Sequence, residues 1–219
     1  MLTIEKTADG SHTLFVPELN EHYHSINGAL TESKHVFIEN GLKLFGEKGR
    51  VSILEIGFGT GLNALLSYVE AKQRNIQIHY MAIERYPLKK EYVKQLNFPD
   101  LIETATPFFH LLHACDWEKE VAIDSHFTLH KIENDLIKHQ FNRKFDLIYF
   151  DAFAPDKQPE MWTPEIFSHL FEQTNENGIL TTYCAKGSVR RMFQAAGYTT
   201  ERLPGPPGKR EMLRGRKRE

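Results

Sequence analysis

Four acids in this chain could do chemistry: Glu55, Glu84, Asp135 and Asp151. The first stands beside three glycines, in the run Val51-Ser-Ile-Leu-Glu-Ile-Gly-Phe-Gly-Thr-Gly61. That run reads as a buried strand, a glycine-rich turn and a helix starting near Thr60. Such a turn brings bare backbone close to a ligand, because glycine has no Cβ to block approach or forbid positive φ. The helix behind it offers unpaired N–H groups. Gly57, Gly59 and Gly61 follow GxGxG spacing, not the GxGxxG of dinucleotide binders. Glu55 would oppose a phosphate but suits a ligand with a positive charge and hydrogen-bond donors. S-adenosylmethionine carries a sulfonium, an ammonium and a ribose. The next strand, Ile78-His-Tyr-Met-Ala-Ile-Glu84, ends in an acid placed to take two ribose hydroxyls. The one after leads into Ile132-Glu-Asn-Asp135, where Asp135 can meet the adenine amino group. Glu133 competes for that role, and an acid near a helix start is also a plain N-cap. Three successive strand ends bearing acids point to S-adenosylmethionine ahead of NAD, with Phe58 and Asn63 completing the candidate cofactor contacts.

The acceptor side is expected across the cleft. The strand Phe145-Asp-Leu-Ile-Tyr-Phe150 runs into Asp151-Ala-Phe-Ala-Pro155-Asp-Lys157-Gln-Pro159-Glu-Met161-Trp162. In an open parallel sheet the ligand lies outside the carboxyl ends of the strands, where the strand order reverses. Asp151 is therefore expected at the reacting centre. Pro155 and Pro159 stiffen the loop, and Phe153 and Trp162 offer flat surfaces on which a base could stack. The bland alternative puts Phe153, Met161 and Trp162 in the core and makes Asp151 a cap. The crowding of polar and aromatic residues in one rigid loop beside the donor site favours function.

The elements that must position these residues follow from periodicity. A hairpin is predicted over 3–17, turning at Asp9-Gly10, and a helix over 30–46 with Val36, Phe37, Leu42 and Phe45 inward and a break at Asn40-Gly41. From residue 51 the pattern alternates. It predicts strands at 51–56, 77–83, 127–132, 145–150, 178–184, 197–203 and 210–214. Helices are predicted at 60–73, 88–96, 100–113, 134–141, 163–173 and 187–196. Such alternation implies an α/β fold with a mainly parallel sheet covered by helices on both faces. The short link Pro204-Gly-Pro-Pro-Gly208 makes the last two strands antiparallel. Residues 1–50 are read as an N-terminal extension over the cleft and 51–219 as the catalytic domain.

With 219 residues, the chain can bury a substantial core. Its net charge of −2 means that any nucleic-acid binding must use a local basic patch. Cys115 and Cys184, the two cysteines, form no CxxC, so a reduced cytoplasmic protein without a structural metal is expected. The polar start excludes a secretory signal, and no apolar run is long enough to span a membrane.

Several stretches resemble one family. Tyr23-His24-Ser25, His35-Val-Phe37-Ile-Glu-Asn40-Gly41-Leu, Leu54-Glu-Ile-Gly-Phe-Gly-Thr-Gly-Leu-Asn63, Asp151 through Thr163, Ala185-Lys-Gly-Ser-Val-Arg-Arg191 and Gly208-Lys-Arg-Glu-Met212 are similar to the methyltransferase half of MnmC. MnmC is the bifunctional enzyme of 5-methylaminomethyl-2-thiouridine synthesis at the tRNA wobble position. The resemblance spans residues 20 to 213. It implies a class I S-adenosylmethionine-dependent methyltransferase fold, Rossmann-like and seven-stranded with the last strand antiparallel, in the order 3-2-1-4-5-7-6. It also implies methyl transfer to the 5-aminomethyl nitrogen of the wobble uridine. Glu55, Gly57, Gly59, Gly61 and Glu84 would then hold the cofactor, Asp135 adenine, and Asp151 the acceptor amine. The third strand ends Glu-Asn-Asp where the family more commonly has Gly-Asp.

Because the chain ends at Glu219 without the flavin-dependent oxidase half, a stand-alone methyltransferase is expected, supplied by an upstream enzyme. Asp151 would aim the amine by a hydrogen bond, its ordinary basicity being low. RNA loops are read through splayed bases stacked on aromatics, here Tyr23, Phe153 and Trp162, with His24, Pro155 and Met161 nearby. Lys157, Lys186, Arg190, Arg191, Lys209 and Arg210 are the candidates for flanking phosphates. The rivals are a methyltransferase of small amines or proteins, an NAD(P)-dependent oxidoreductase, and a non-catalytic protein that binds S-adenosylmethionine and RNA.

Overall fold

The computed structural model describes residues 1–46, 49–102 and 106–218. The chain opens with a three-stranded antiparallel sheet of β1 (Thr3–Lys6), β2 (His12–Val16) and β3 (Glu21–His22). The helix α1 (Ala29–Ser33) follows, continued by a π-helical stretch, Lys34–Glu39. The winding stops at Asn40-Gly41, where the sequence predicts a break, and resumes as a 3-10 turn, Leu42–Phe45. A Cβ on Gly41 would lie 2.4 Å from the Phe37 carbonyl oxygen.

The main sheet contains β4 (Arg50–Ile56), β5 (Gln77–Glu84), β6 (Glu120–Ala122), β7 (Phe127–Glu133), β8 (Phe145–Phe150), β9 (Thr174–Thr182), β10 (Thr199–Pro204) and β11 (Glu211–Arg216). Its order is β10-β11-β9-β8-β4-β5-β7-β6. The five strands from β9 to β7 run parallel, and β11 is antiparallel to both β9 and β10. This is the expected order read from the other edge, plus one antiparallel edge strand, β6. The order reverses at β4, which pairs with β5 on one side and β8 on the other.

The helices are α2 (Leu62–Arg74), α3 (Lys90–Val93), α4 (Phe98–Leu101), α5 (Thr106–Ala114), α6 (Pro164–Gln173) and α7 (Gly187–Ala196). Two predicted helices are shorter than expected. The 88–96 segment yields only α3, and the 100–113 segment begins with α4 and resumes at α5, with 103–105 outside the described residues. The helix predicted over 134–141 is replaced by turns. There Asn134 Oδ1 accepts the Asp135 N–H at 2.7 Å, and Asp135 Oδ1 accepts the Ile137 N–H at 3.0 Å. Such local side-chain bonds compete with the helical ladder.

Two cores flank the sheet, as alternation along each strand requires. Val51 and Ile53 of β4 face α2, α5 and the N-terminal helical segment, packing with Leu65, Phe109, Val36 and Phe37. Leu54 and Ile56 face α6 and α7, packing with Phe167 and Phe193. The N-terminal segment thus shares a core with the main sheet. No helix among the described residues is long and apolar enough to cross a membrane.

Asp9 ties the first hairpin to α1. Its carboxylate accepts from Ser11 N at 3.0 Å, Thr31 N at 2.9 Å and the Thr31 hydroxyl at 2.8 Å. Burial alone would raise its pKa, but these bonds outweigh that and bring it down to about 2. A lowered pKa contributes stability that is present above the unfolded value near 4 and lost as pH falls through the folded value. Asp9→Ala is therefore expected to cost roughly 2 kcal/mol near neutral pH. In urea titrations the difference from wild type should shrink as pH falls from about 4 toward 2; a difference independent of pH would refute the assignment.

Candidate active site

The carboxyl ends of β4, β5 and β8 meet at the reversal in strand order and are stitched together there. Gly57 N donates to Ile83 O at 2.9 Å, and Asp151 N donates to Ile56 O at 3.1 Å. Beside them opens a cavity of about 580 Å³, within the range of small-molecule sites. The glycine turn crosses its floor. Gly57 has a φ of 89°, and a Cβ there would lie 2.9 Å from the Asp151 carbonyl oxygen. A side chain at this position would meet both strain and backbone. Gly61 caps α2 in the left-handed region and sits behind the turn, away from the cavity.

On the donor side, Glu84 lies at the cavity wall with each oxygen bound to backbone. Oε2 accepts Gly59 N at 3.1 Å and Oε1 accepts Tyr86 N at 2.8 Å. Burial outweighs these bonds and raises its pKa. Asp135 also lines the cavity, paired with Arg85 at 3.3 Å, whereas Glu133 does not. Phe58 sits at the margin, 4 % exposed, its ring against His113 and Trp117. His24 faces the same turn, with Nε2 2.6 Å from the Thr60 hydroxyl, and burial lowers its pKa to about 4, leaving it neutral.

Glu55 occupies a different place from the one its position before the glycines suggests. It shares the face of Val51 and Ile53, is 1 % exposed, and does not line the cavity. Burial and the charge of Asp151 raise its pKa well above the ordinary range. Its partner is Asn63, whose Nδ2 donates to Glu55 Oε1 at 3.0 Å and to Asp151 Oδ2 at 2.8 Å. Glu55 is thus placed to position Asn63 and, through it, Asp151, rather than to touch a ligand.

Asp151 lines the cavity together with the aromatic pair Tyr23 and Phe153, whose rings meet edge to face at 5.2 Å. Burial and the nearby charge of Glu32 raise its pKa, the Asn63 bond and Lys209 lower it, and the balance stands at about 7. Met161 and Lys209 also face the cavity. Trp162 does not. It is 4 % exposed, packs on Phe150, and donates Nε1–H to Phe153 O at 2.7 Å. It shapes the loop from behind, so the base-stacking surface expected of it reduces to Tyr23 and Phe153.

Pro155, Lys157, Lys186, Arg190, Arg191 and Arg210 lie outside the cavity. Lys186 pairs with Asp156 at 2.8 Å. Glu32 and Tyr183 are among the cavity residues that the sequence does not single out. Tyr183 follows β9 directly, so the rule of carboxyl strand ends reaches it. Glu32 belongs to a segment with no chemical pattern.

The chain was compared with known proteins. Residues 110–218 match the family model described as S-adenosyl-L-methionine-dependent methyltransferase. The tRNA 5-methylaminomethyl-2-thiouridine biosynthesis bifunctional protein MnmC of Pseudomonas savastanoi is 32 % identical over 212 residues, covering 90 % of this chain and 32 % of that protein. The MnmC of Leptospira interrogans gives 32 % identity over 90 % of this chain and 33 % of its own length. Among solved structures, MNMC2 from Aquifex aeolicus superposes with a TM-score of 0.84 at 28 % identity, over 98 % of this chain and 70 % of that one. The chain is a homologue of the methyltransferase domain of MnmC. It spans about a third of the length of the MnmC proteins it matches. Spermidine synthase from Thermotoga maritima, at 12 % identity and a TM-score of 0.55, shares the fold.

The cofactor of this MnmC homologue is S-adenosylmethionine, and the residues present fit it. Gly57 and Gly59 line the cavity in left-handed conformations that a side chain would disturb, and Glu84 is fixed at the wall with lone pairs to spare for hydroxyls. The pKa values of Asp151 and Glu84 are both raised by burial, so the wall favours an incoming positive charge.

The folded carboxyl of Asp151 keeps its proton up to about pH 7, whereas the unfolded chain releases it near 4. The stability tied to this proton is full below pH 4 and is lost as pH rises through 7. Ligand-free Asp151→Asn should gain on wild type across that interval in urea midpoints. Parallel pH profiles for the two proteins would show that Asp151 ionises normally.

Proposed function

We propose that the chain methylates the exocyclic nitrogen of a 5-aminomethyluridine at the tRNA wobble position. The observation that carries this reading is Asp151, buried, with its pKa raised to about 7, lining one cavity with the Tyr23–Phe153 pair and with Glu84. The names of its MnmC relatives support the choice of substrate. In this reading the site residues keep the roles the geometry allows: Glu84 the ribose, Asp135 the adenine, Asp151 the amine.

Bound S-adenosylmethionine supplies a methyl carbon on a positively charged sulfur, and the amine nitrogen takes that carbon as the carbon–sulfur bond breaks. The nitrogen needs a free lone pair, and a primary amine reaches the site largely as an ammonium. Asp151 accepts a hydrogen bond from it and, with a pKa near 7, accepts its proton far better than an ordinary carboxyl. Asn63 fixes the direction of that carboxyl. Tyr23 and Phe153 flank the base, and holding both reactants in line supplies much of the acceleration.

Arg191 and Arg210 are exposed, without an ion pair among the described residues, and serve as phosphate contacts. A second reading, methylation of a small free amine, draws on the pairing of Lys186 with Asp156, which removes one cation from the RNA-facing surface.

Mass spectrometry of wobble nucleosides decides between them. With tRNA from cells lacking the enzyme, aminomethyluridine should gain one CH₂ when protein and S-adenosylmethionine are added. Turnover of free amines but not of tRNA would favour the second reading. Asp151→Asn should lose at least ~100-fold in kcat while binding S-adenosylmethionine normally; near-normal turnover would remove Asp151 from the mechanism. Replacing Arg191 and Arg210 together by Gln should weaken tRNA binding and flatten its salt dependence. An unchanged salt slope would rule out those phosphate contacts.

A further inference from the structure

Three side chains from distant parts of the chain close the cavity beside Asp151. Glu32 stands in the first turn of α1, 7 % exposed, and its Oε1 accepts Ser25 N at 3.1 Å. Its Oε2 is engaged by the Lys209 ammonium, which comes from the loop between β10 and β11. The same Nζ lies 4.1 Å from the centre of the Tyr183 ring. Tyr183 donates its hydroxyl to Ala152 O at 2.9 Å, next to Asp151 in the chain. All four residues, Glu32, Asp151, Tyr183 and Lys209, face the one cavity.

The ligand-free chain therefore seats a primary ammonium on a buried carboxylate, under an aromatic face, beside the residue assigned to the acceptor amine. An aminomethyl group arriving as –CH₂–NH₃⁺ presents the same charge and the same three donors. We infer that Glu32 selects the acceptor by its ammonium group, and that Lys209 holds this place until the acceptor displaces it. The inference rests on the amine-methylating reading above and adds to it the basis of substrate choice.

Exchange of one ammonium for another keeps the buried carboxylate paired throughout. Stripping Glu32 of its cation without replacement would leave a desolvated charge. A hydroxymethyl or unsubstituted uridine offers no cation and cannot replace Lys209 on equal terms. An acidic substituent meets two carboxylates. Lys209 can leave because its ammonium rides on a flexible four-carbon stem and its side chain is 31 % exposed. Once released it can meet a phosphate of the bound RNA. Cation–π contact with Tyr183 then passes to the substrate ammonium.

The test compares the affinity of two anticodon stem-loops, one with 5-aminomethyluridine and one with plain uridine at the wobble position. Wild type should prefer the first. Glu32→Gln, which retains an acceptor for Ser25 N, should lower that preference at least ~tenfold with S-adenosylmethionine affinity unchanged. Lys209→Met removes the competitor and should keep or increase the preference. Glu32→Gln with wild-type preference overturns the inference. So does Lys209→Met losing the preference as fully as Glu32→Gln, because the pair is then a structural strut. If Glu32→Gln does not fold, Lys209→Met decides alone: a preference kept or increased relative to wild type supports the inference, and a preference lost overturns it. A wild type that leaves the aminomethyl stem-loop unmethylated rejects the wobble-uridine reading itself. A wild type that methylates it while the Glu32 variant keeps its preference rejects only the role of Glu32.

Discussion

One amide group couples the two halves of this site. Asn63 gives both hydrogens of its side-chain nitrogen to carboxyl groups, one on Glu55 within β4 and one on Asp151 beyond β8. The two strands are neighbours and parallel, so their carboxyl ends lie side by side, and the helix that starts the turn brings Asn63 between them. Every other property of the acceptor side depends on this arrangement. Burial and the charge of Asp151 push the Glu55 carboxyl well up, while burial and the charge of Glu32 bring Asp151 to about 7, with the Asn63 bond opposing both shifts. Glu55 thus holds the amide that in turn bonds the Asp151 carboxyl.

The donor side is built locally, from a turn and the strand beside it. The acceptor side needs segments from both ends of the chain. Tyr23 packs over Gly59, His24 holds Thr60, and Lys209 reaches Glu32 from 177 positions away. His35 adds a contact to Pro204 O at 2.7 Å. Such pairings carry loop-closure entropy that the donor half does not. The burial of Val36 and Phe37 in the core of the main sheet offsets it. Lys131 supports the turn from below: its ammonium caps α5 at Leu112 O, 2.8 Å away, and lies 5.5 Å from the Phe58 ring.

Much of the fold and the donor side was legible because both follow from period and strand ends. The alternation from residue 51 yields the parallel strands, and Glu84 and Asp135 sit at strand ends on the cavity. The failures have local causes. Asn134 and Asp135 bond to the backbone ahead of them and replace the predicted helix with turns. β6 is only Glu-Val-Ala, too short for a period to show. Trp162 lies in an acceptor-side loop, but its ring turns inward to bond the Phe153 carbonyl, which composition cannot reveal. The inward direction of Glu55 follows from the alternation Val51, Ile53, Glu55, which decides its place over its nearness to the glycines. Glu32 could not be found, since its meaning comes from Lys209 and Asp151, both distant in sequence.

The electrostatics of the cavity bear on how a protonated amine becomes a nucleophile. An ordinary carboxylate is too weak a base to take a proton from an alkylammonium, which is why orientation alone was assigned to Asp151 from the sequence. Burial alters both partners in the same direction. It raises the carboxyl, to about 7 here, and it lowers an ammonium taken out of water. In the proposed reaction a positive sulfonium close by lowers the ammonium further. Burial of the amine beside this carboxyl would narrow the gap between donor and acceptor of the proton. The basicity of Asp151 is thus built into the cavity itself, and what the arriving ligands would add is a weakened hold of the ammonium on its proton.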